Sequence, residues 1–116
     1  MFPSILPIAI LGGTGALDHY IPAPCRLIVK SIQAACSVDP GDAETITVAK
    51  GSTTVGVLTF GSTIAAGAVG TYVADTTGGE TIFEKGEVIK LTISALTAAS
   101  AFNGYIEVDE FCKVTQ

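Results

Sequence analysis

Apolar and polar residues alternate with a period of two through much of the chain. Across residues 88–95, Ile89, Leu91, Ile93 and Ala95 share one face while Val88, Lys90, Thr92 and Ser94 share the other. That period describes a strand with one buried and one solvated side. Residues 44–50 repeat it, with Ile46 and Val48 facing inward and Thr45 and Thr47 outward. A further strand over 53–60 follows Lys50-Gly51-Ser52, which predicts a hairpin closed by a short Gly-containing turn. Residues 69–75 and 80–83 read as short strands around Thr76-Thr77-Gly78-Gly79, and 84–87 as a second tight turn. The last strand, 102–114, carries Ile106 and Val108 on one face. Phe111 falls out of that phase, which predicts a bulge near Asp109-Glu110. Residues 25–36 begin after Pro24 and hold apolar side chains on both faces. They are expected to be covered twice, by a second sheet and by the N-terminal segment or a neighbouring subunit.

Seven or eight short strands, with turn signals such as Val38-Asp39-Pro40-Gly41-Asp42 between them, define an all-β chain. The 116 residues make one domain. The expected architecture is an antiparallel β-sandwich over residues 25–116, preceded by an extended N-terminal arm and turn over 1–24. An immunoglobulin arrangement is disfavoured because the chain has no Trp and lacks that cysteine spacing. A jelly roll fits better, with late strands pairing early ones. Residues 61–70 and 96–100 read as loops.

The stretch IAILGGTGALDHY, residues 8–20, mimics the first strand and glycine turn of a dinucleotide-binding domain. Such a site needs a helix whose N-terminal amides hold the pyrophosphate. Here Asp18 takes the place of the third glycine and would repel phosphate. Pro22 and Pro24 also forbid the helix. The cluster reads as a turn, and no nucleotide site is expected.

Charge narrows the partners. Six basic residues against eleven acidic ones give a net charge of −5, and no two basic residues are adjacent. Nucleic acid and anionic membrane surfaces both need clustered cations, so neither is an expected partner. The first fifteen residues hold no Lys or Arg, and Pro3 and Pro7 interrupt their apolar run, so no secretory signal is expected. Cys25, Cys36 and Cys112 have no metal-ligand spacing and read as buried thiols, with one disulfide as the alternative.

Candidate chemistry is sparse. His19 is the single histidine, so any Ser-His-Asp or Cys-His arrangement would need it; it reads as a surface or packed residue. A zinc site would have to combine His19 with distant cysteines. Asp39, Asp42 and Glu44 crowd one turn, and Glu107, Asp109 and Glu110 the last strand. They lack the EF-hand pattern and read as solvated charges. The chain is therefore expected to be non-enzymatic, with no cofactor, no metal and no catalytic residue.

What remains is surface. Mean hydropathy is +0.55, high for a free-standing monomer, and fifteen Ala and fourteen Thr make the exposed faces small and uncharged. Such surface suits burial against other subunits. The apolar, proline-stiffened N-terminus is expected to be pinned to a partner, with Phe2, Ile5, Leu6, Ile8, Ile10 and Leu11 as the assembly contacts.

Residues 44–111 carry a resemblance. ETITVAKGSTTVGVLTF, GTYVADTTGGETIFEKGEVIKLTIS and GYIEV resemble segments of the small all-β decoration, or cement, proteins of tailed-bacteriophage heads. The resemblance implies a structural virion protein, made in the host cytoplasm and placed on the capsid exterior. Its implied partners are the major capsid protein and further copies of itself, as a homo-oligomer, commonly a trimer. The alternative is a tail or fibre-type binding module for a glycan or receptor, using Tyr72, Tyr105, Glu107 and Asp109.

Overall fold

The computed structural model describes residues 2–12, 16–37, 44–61, 67–75, 81–94 and 100–111. These residues form nine strands: β1 (Phe2–Gly12), β2 (Leu17–Pro22), β3 (Leu27–Cys36), β4 (Thr45–Lys50), β5 (Thr53–Thr59), β6 (Thr71–Ala74), β7 (Ile82–Phe83), β8 (Val88–Ile93) and β9 (Ser100–Glu110). The turns expected at 13–15, 38–43, 76–80 and 96–99, and the Ala-rich stretch 62–66, lie outside the described residues.

Two antiparallel sheets make a β-sandwich. Sheet A has the order β1-β9-β3-β7 and sheet B the order β2-β8-β4-β5-β6. The pairings nest: β1 with β9, β2 with β8, β3 with β7 and β4 with β5. The chain is thus a long double ribbon that doubles back at the β4–β5 hairpin. Rolling the ribbon brings β9 against β3 and β8 against β4 as well. Gly51, at φ +59°, opens the two-residue hairpin turn where a side chain would be strained.

The inward positions of both sheets fill the space between them. Leu27, Ile32, Phe102 and Ile106 from sheet A meet Ile46, Leu58, Ile89, Leu91 and Ile93 from sheet B, all fully buried. Phe60, just past β5, tilts 46° against Phe102 with ring centroids 5.2 Å apart, tying the two layers together. Gly104 is the inward residue at the middle of β9. A Cβ there would collide with the Gln33 carbonyl and the Ala34 backbone, so glycine permits the close approach of β9 to β3.

Strand β3 corrects one expectation. A bulge between Val29 and Ser31 shifts its inward phase, while Ile28, ahead of the bulge, is buried as well but lies outside the common core cluster. Leu27 and Val29 face the core before it, and Ile32, Ala34 and Cys36 after it, with Lys30 as the exposed extra residue. One face of the strand therefore meets the core throughout, and the pattern shifts by one residue at Lys30. The bulge expected near Asp109-Glu110 is not in β9, which pairs without interruption with β1. Phe111 instead lies just past the strand end, where its N–H donates to the Arg26 carbonyl (2.9 Å) and its ring lies under the Arg26 guanidinium.

Residues 67–74 stitch one side of the sandwich. Gly67 N–H donates to Cys36 O (2.8 Å) and Cys36 N–H to Ala68 O (3.1 Å), both on sheet A. Four residues later the same segment is β6, paired with β5 in sheet B. Lys50 makes a second tie. From β4 in sheet B, its Nζ donates to the Ile82 carbonyl on β7 (2.9 Å), pairs with Glu87 Oε1 (3.1 Å) and lies over the Phe83 ring. Glu87 Oε1 also accepts the Glu84 N–H at 2.7 Å. That backbone donor first, and Lys50 second, hold the Glu87 carboxyl below its ordinary value.

A carboxylate lowered in this way stabilises the fold above its unfolded value of about pH 4.3, and the contribution is lost as pH falls through the lower folded value. Glu87→Gln should therefore flatten that part of the acid limb of a Tm-against-pH curve. Identical curves for the two proteins would contradict the strut.

Candidate assembly surface

Strand β1 is apolar on both of its faces. Its even-numbered side chains point inward: Ile8 and Ile10 are buried in the common core and Leu6 packs against it. Its odd-numbered residues Pro3, Ile5, Pro7 and Ala9 are exposed, Ile5 to 57%. The outward row of this edge strand therefore carries no polar side chain from residue 3 to residue 9. Of the six expected assembly contacts, Leu6, Ile8 and Ile10 are used by the chain's own core and Ile5 faces solvent. Phe2 and Leu11 lie in β1, and their side chains fall outside the described residues. Residues 2–12 and 17–22, expected as an arm and turn, are thus the edge strands β1 and β2 of sheets A and B.

The prolines fix which way the edge of β1 faces. Ser37 N–H donates to Ala101 O, and Phe111 N–H to Arg26 O, so odd-numbered residues of β9 turn their backbone groups toward β3. Even-numbered residues of β9 then bond to β1. In the observed register these oppose Ser4, Leu6, Ile8 and Ile10. Pro3 and Pro7 fall on the free edge, where their missing N–H groups leave a gapped row of donors. Such an edge is a poor template for another strand. Contact through β1 is therefore by side chains.

The outward face of sheet A continues this surface in rows. Across β1, β9 and β3 the rows run Ile5–Glu107–Ser31, Pro7–Tyr105–Gln33 and Ala9–Asn103–Ala35. Two shallow concavities flank Glu107. One is lined by Pro3, Ile5, Lys30 and Asp109, and the Lys30 ammonium lies 3.9 Å from the Asp109 carboxylate. The other is lined by Gln33, Ala35, Val69, Asn103 and Tyr105. Ile5, Tyr105, Glu107 and Asp109 thus come together on one face. Tyr72 does not join them. It lies on β6 in sheet B, with its ring over Gly56 and its hydroxyl buried without a hydrogen-bond partner. Burial raises its phenol above the ordinary value.

On the opposite side of the sandwich, β1 and β2 leave a cleft lined by Ile8, Ile10, His19 and Ile21. His19 is half-buried there, and its Nε2 has no hydrogen-bond partner. Asp18 faces the other way, accepting Thr92 Oγ1 at 2.6 Å on the outside of sheet B. Among the described residues, no three His, Cys, Asp or Glu side chains are grouped to hold a metal ion. Asp39, Asp42 and Cys112 lie outside those residues.

Two polar positions depart from their expected roles. Glu44 is buried, not solvated, and its carboxylate accepts Ser94 Oγ at 2.6 Å, which in turn accepts the Thr45 N–H at 3.0 Å. The alternation that turns Ile46 and Val48 inward turns Glu44 inward too, and that was the available signal. Cys25 is disulfide-bonded, while Cys36 is a buried thiol donating to Ala68 O at 3.7 Å. The reading of three buried thiols gives way to the alternative with one disulfide. Since a disulfide within the chain takes two of the three cysteines, titration in denaturant without reductant should find a single reactive thiol. Three would contradict the bond.

Compared with known protein families, curated proteins and solved structures, the chain matches none of them.

Proposed function

We propose that this chain is a non-enzymatic structural virion protein that decorates a tailed-phage capsid and stabilises it through lateral subunit contacts. The observation that carries the reading is the apolar outward row of β1, with Ile5 exposed to 57% beside a core that already holds Ile8 and Ile10. An apolar row on an edge strand gains by being covered, at roughly 25 cal/mol per Å² removed from water. The partners are the major capsid protein and further copies of this chain, as a homo-oligomer and commonly a trimer, on the capsid exterior. The sheet orders β1-β9-β3-β7 and β2-β8-β4-β5-β6 support a jelly-roll reading, with β6 as an addition to the second sheet.

In this role the work is done by mass action. Each copy that binds the assembled shell and not its free subunits shifts the equilibrium toward the shell. The binding element is narrower than the N-terminal arm expected from sequence. Leu6, Ile8 and Ile10 hold the fold, and the outward residues of β1 are left to hold the neighbour. Removing residues 2–11 would therefore test folding and binding together, whereas a single outward substitution separates them.

Ile5→Ser, which adds no charge opposite Glu107, should leave the thermal melt within about half a kcal/mol of wild type, as for an exposed side chain. The same variant should turn an oligomer in sedimentation into a monomer and abolish co-sedimentation with phage heads. Ile8→Ala, in the core, should instead cost about 2–4 kcal/mol of stability. Wild-type protein that stays monomeric at all concentrations and ignores phage heads would overturn the reading.

A further inference from the structure

We propose that the concavity around Tyr105 on the outward face of sheet A is a binding site for a neutral saccharide. This inference does not rest on the capsid reading; it takes the glycan-binding alternative read from the sequence, keeps Tyr105 and Glu107, and adds Gln33 and Asn103 in place of Tyr72 and Asp109. The Tyr105 concavity sits where three rows of the sheet meet the segment that crosses toward sheet B. Tyr105 and Gln33 are direct cross-strand neighbours, and Asn103 lies opposite Ala35. Ala35 in turn bridges to Val69, which is exposed to 60% and forms the far wall. Glu107 closes the near end.

The chemistry of this lining selects its ligand. Two amides, a phenol and a carboxylate line the concavity and supply both donors and acceptors, as ring hydroxyls require. Tyr105, exposed to 36%, adds an aromatic ring to the lining, a group suited to the apolar face of a sugar. Ala35 adds a small apolar side chain to the same lining. Glu107 is the one charged side chain in the lining. A lone carboxylate repels phosphate and sulfate, and is too few ligands for a bare divalent cation. A neutral polyol meets all of these conditions. The concavity on the other side of Glu107 differs, because its lining carries the Lys30–Asp109 ion pair and no amide or aromatic side chain.

Two-dimensional NMR of isotope-labelled protein, titrated with glucose, galactose, mannose and N-acetylglucosamine at millimolar concentration, tests the site directly. At least one sugar should shift the amide signals of Gln33, Ala35 and residues 103–107, leaving those of β2 and β8 in place. Tyr105→Ala and Gln33→Ala should each weaken that binding by about tenfold or more, with unchanged melting temperature, while Lys30→Ala should leave it intact. If Tyr105→Ala melts early, Glu107→Gln serves as the second variant. Repeating the titration on Ile5→Ser, which leaves the charge beside Glu107 unchanged, separates this site from assembly, since loss of the oligomer should leave the sugar shifts in place. No shift with any of the four sugars, or shifts centred away from Tyr105, would overturn the proposal.

Discussion

Pairing of the first strand with the last holds the architecture together. β9 is the second strand of sheet A, bonded to β1 along one edge and to β3 along the other, so its two ladders join strands from the beginning and end of the fold. That pairing buries Ile8 and Ile10 against Phe102 and Ile106 in the common core. By the alternation of a strand, it also turns Ile5, Pro7 and Ala9 outward beside Glu107, Tyr105 and Asn103. Core and candidate surfaces are thus two consequences of one register, and a slip by a single residue would exchange them. The nested inner pairs, β2 with β8 and β3 with β7, extend the same ribbon, and Lys50 and residues 67–70 fasten the two layers.

The sandwich is finished differently on its two sides. On one, the segment 67–74 crosses between sheets and the Lys50–Ile82–Glu87 tie spans them. On the other, β1 and β2 are the edges of their sheets and flank a cleft lined by Ile8, Ile10, His19 and Ile21. The side left open is also the side where prolines blunt an edge. A structural subunit that contacts neighbours through β1 would need this combination: apolar side chains presented outward, and a backbone that does not recruit stray strands.

Where a strand kept one period and one buried face, its residues could be read in advance. Ile46 and Val48, and Ile89, Leu91 and Ile93, all face inward as their alternation requires. Misreadings came from places where the period shifts or proline intervenes. The Lys30 bulge moves the phase of β3 by one, which mimics a strand apolar on both sides. In β1, Pro3 and Pro7 resemble strand breakers, yet their separation of four puts both on the same edge and is compatible with an outermost strand. β2 was hidden by Pro22 and Pro24, although Leu17, His19 and Ile21 alternate toward the inner side. Glu44 was assigned by its turn-rich neighbours when its phase with Ile46 was the better guide. The Tyr105 concavity needed the register itself, since Gln33 and Asn103 are seventy residues apart in the chain.

Amide hydrogen exchange along the N-terminal strand addresses the central pairing most directly. If β1 is locked to β9 with its prolines on the free edge, the Ser4, Leu6, Ile8 and Ile10 amides should exchange slowly while those of Ile5 and Ala9 exchange fast. Uniformly rapid exchange from residue 2 to residue 12 would mean an unpaired segment, and would contradict the account.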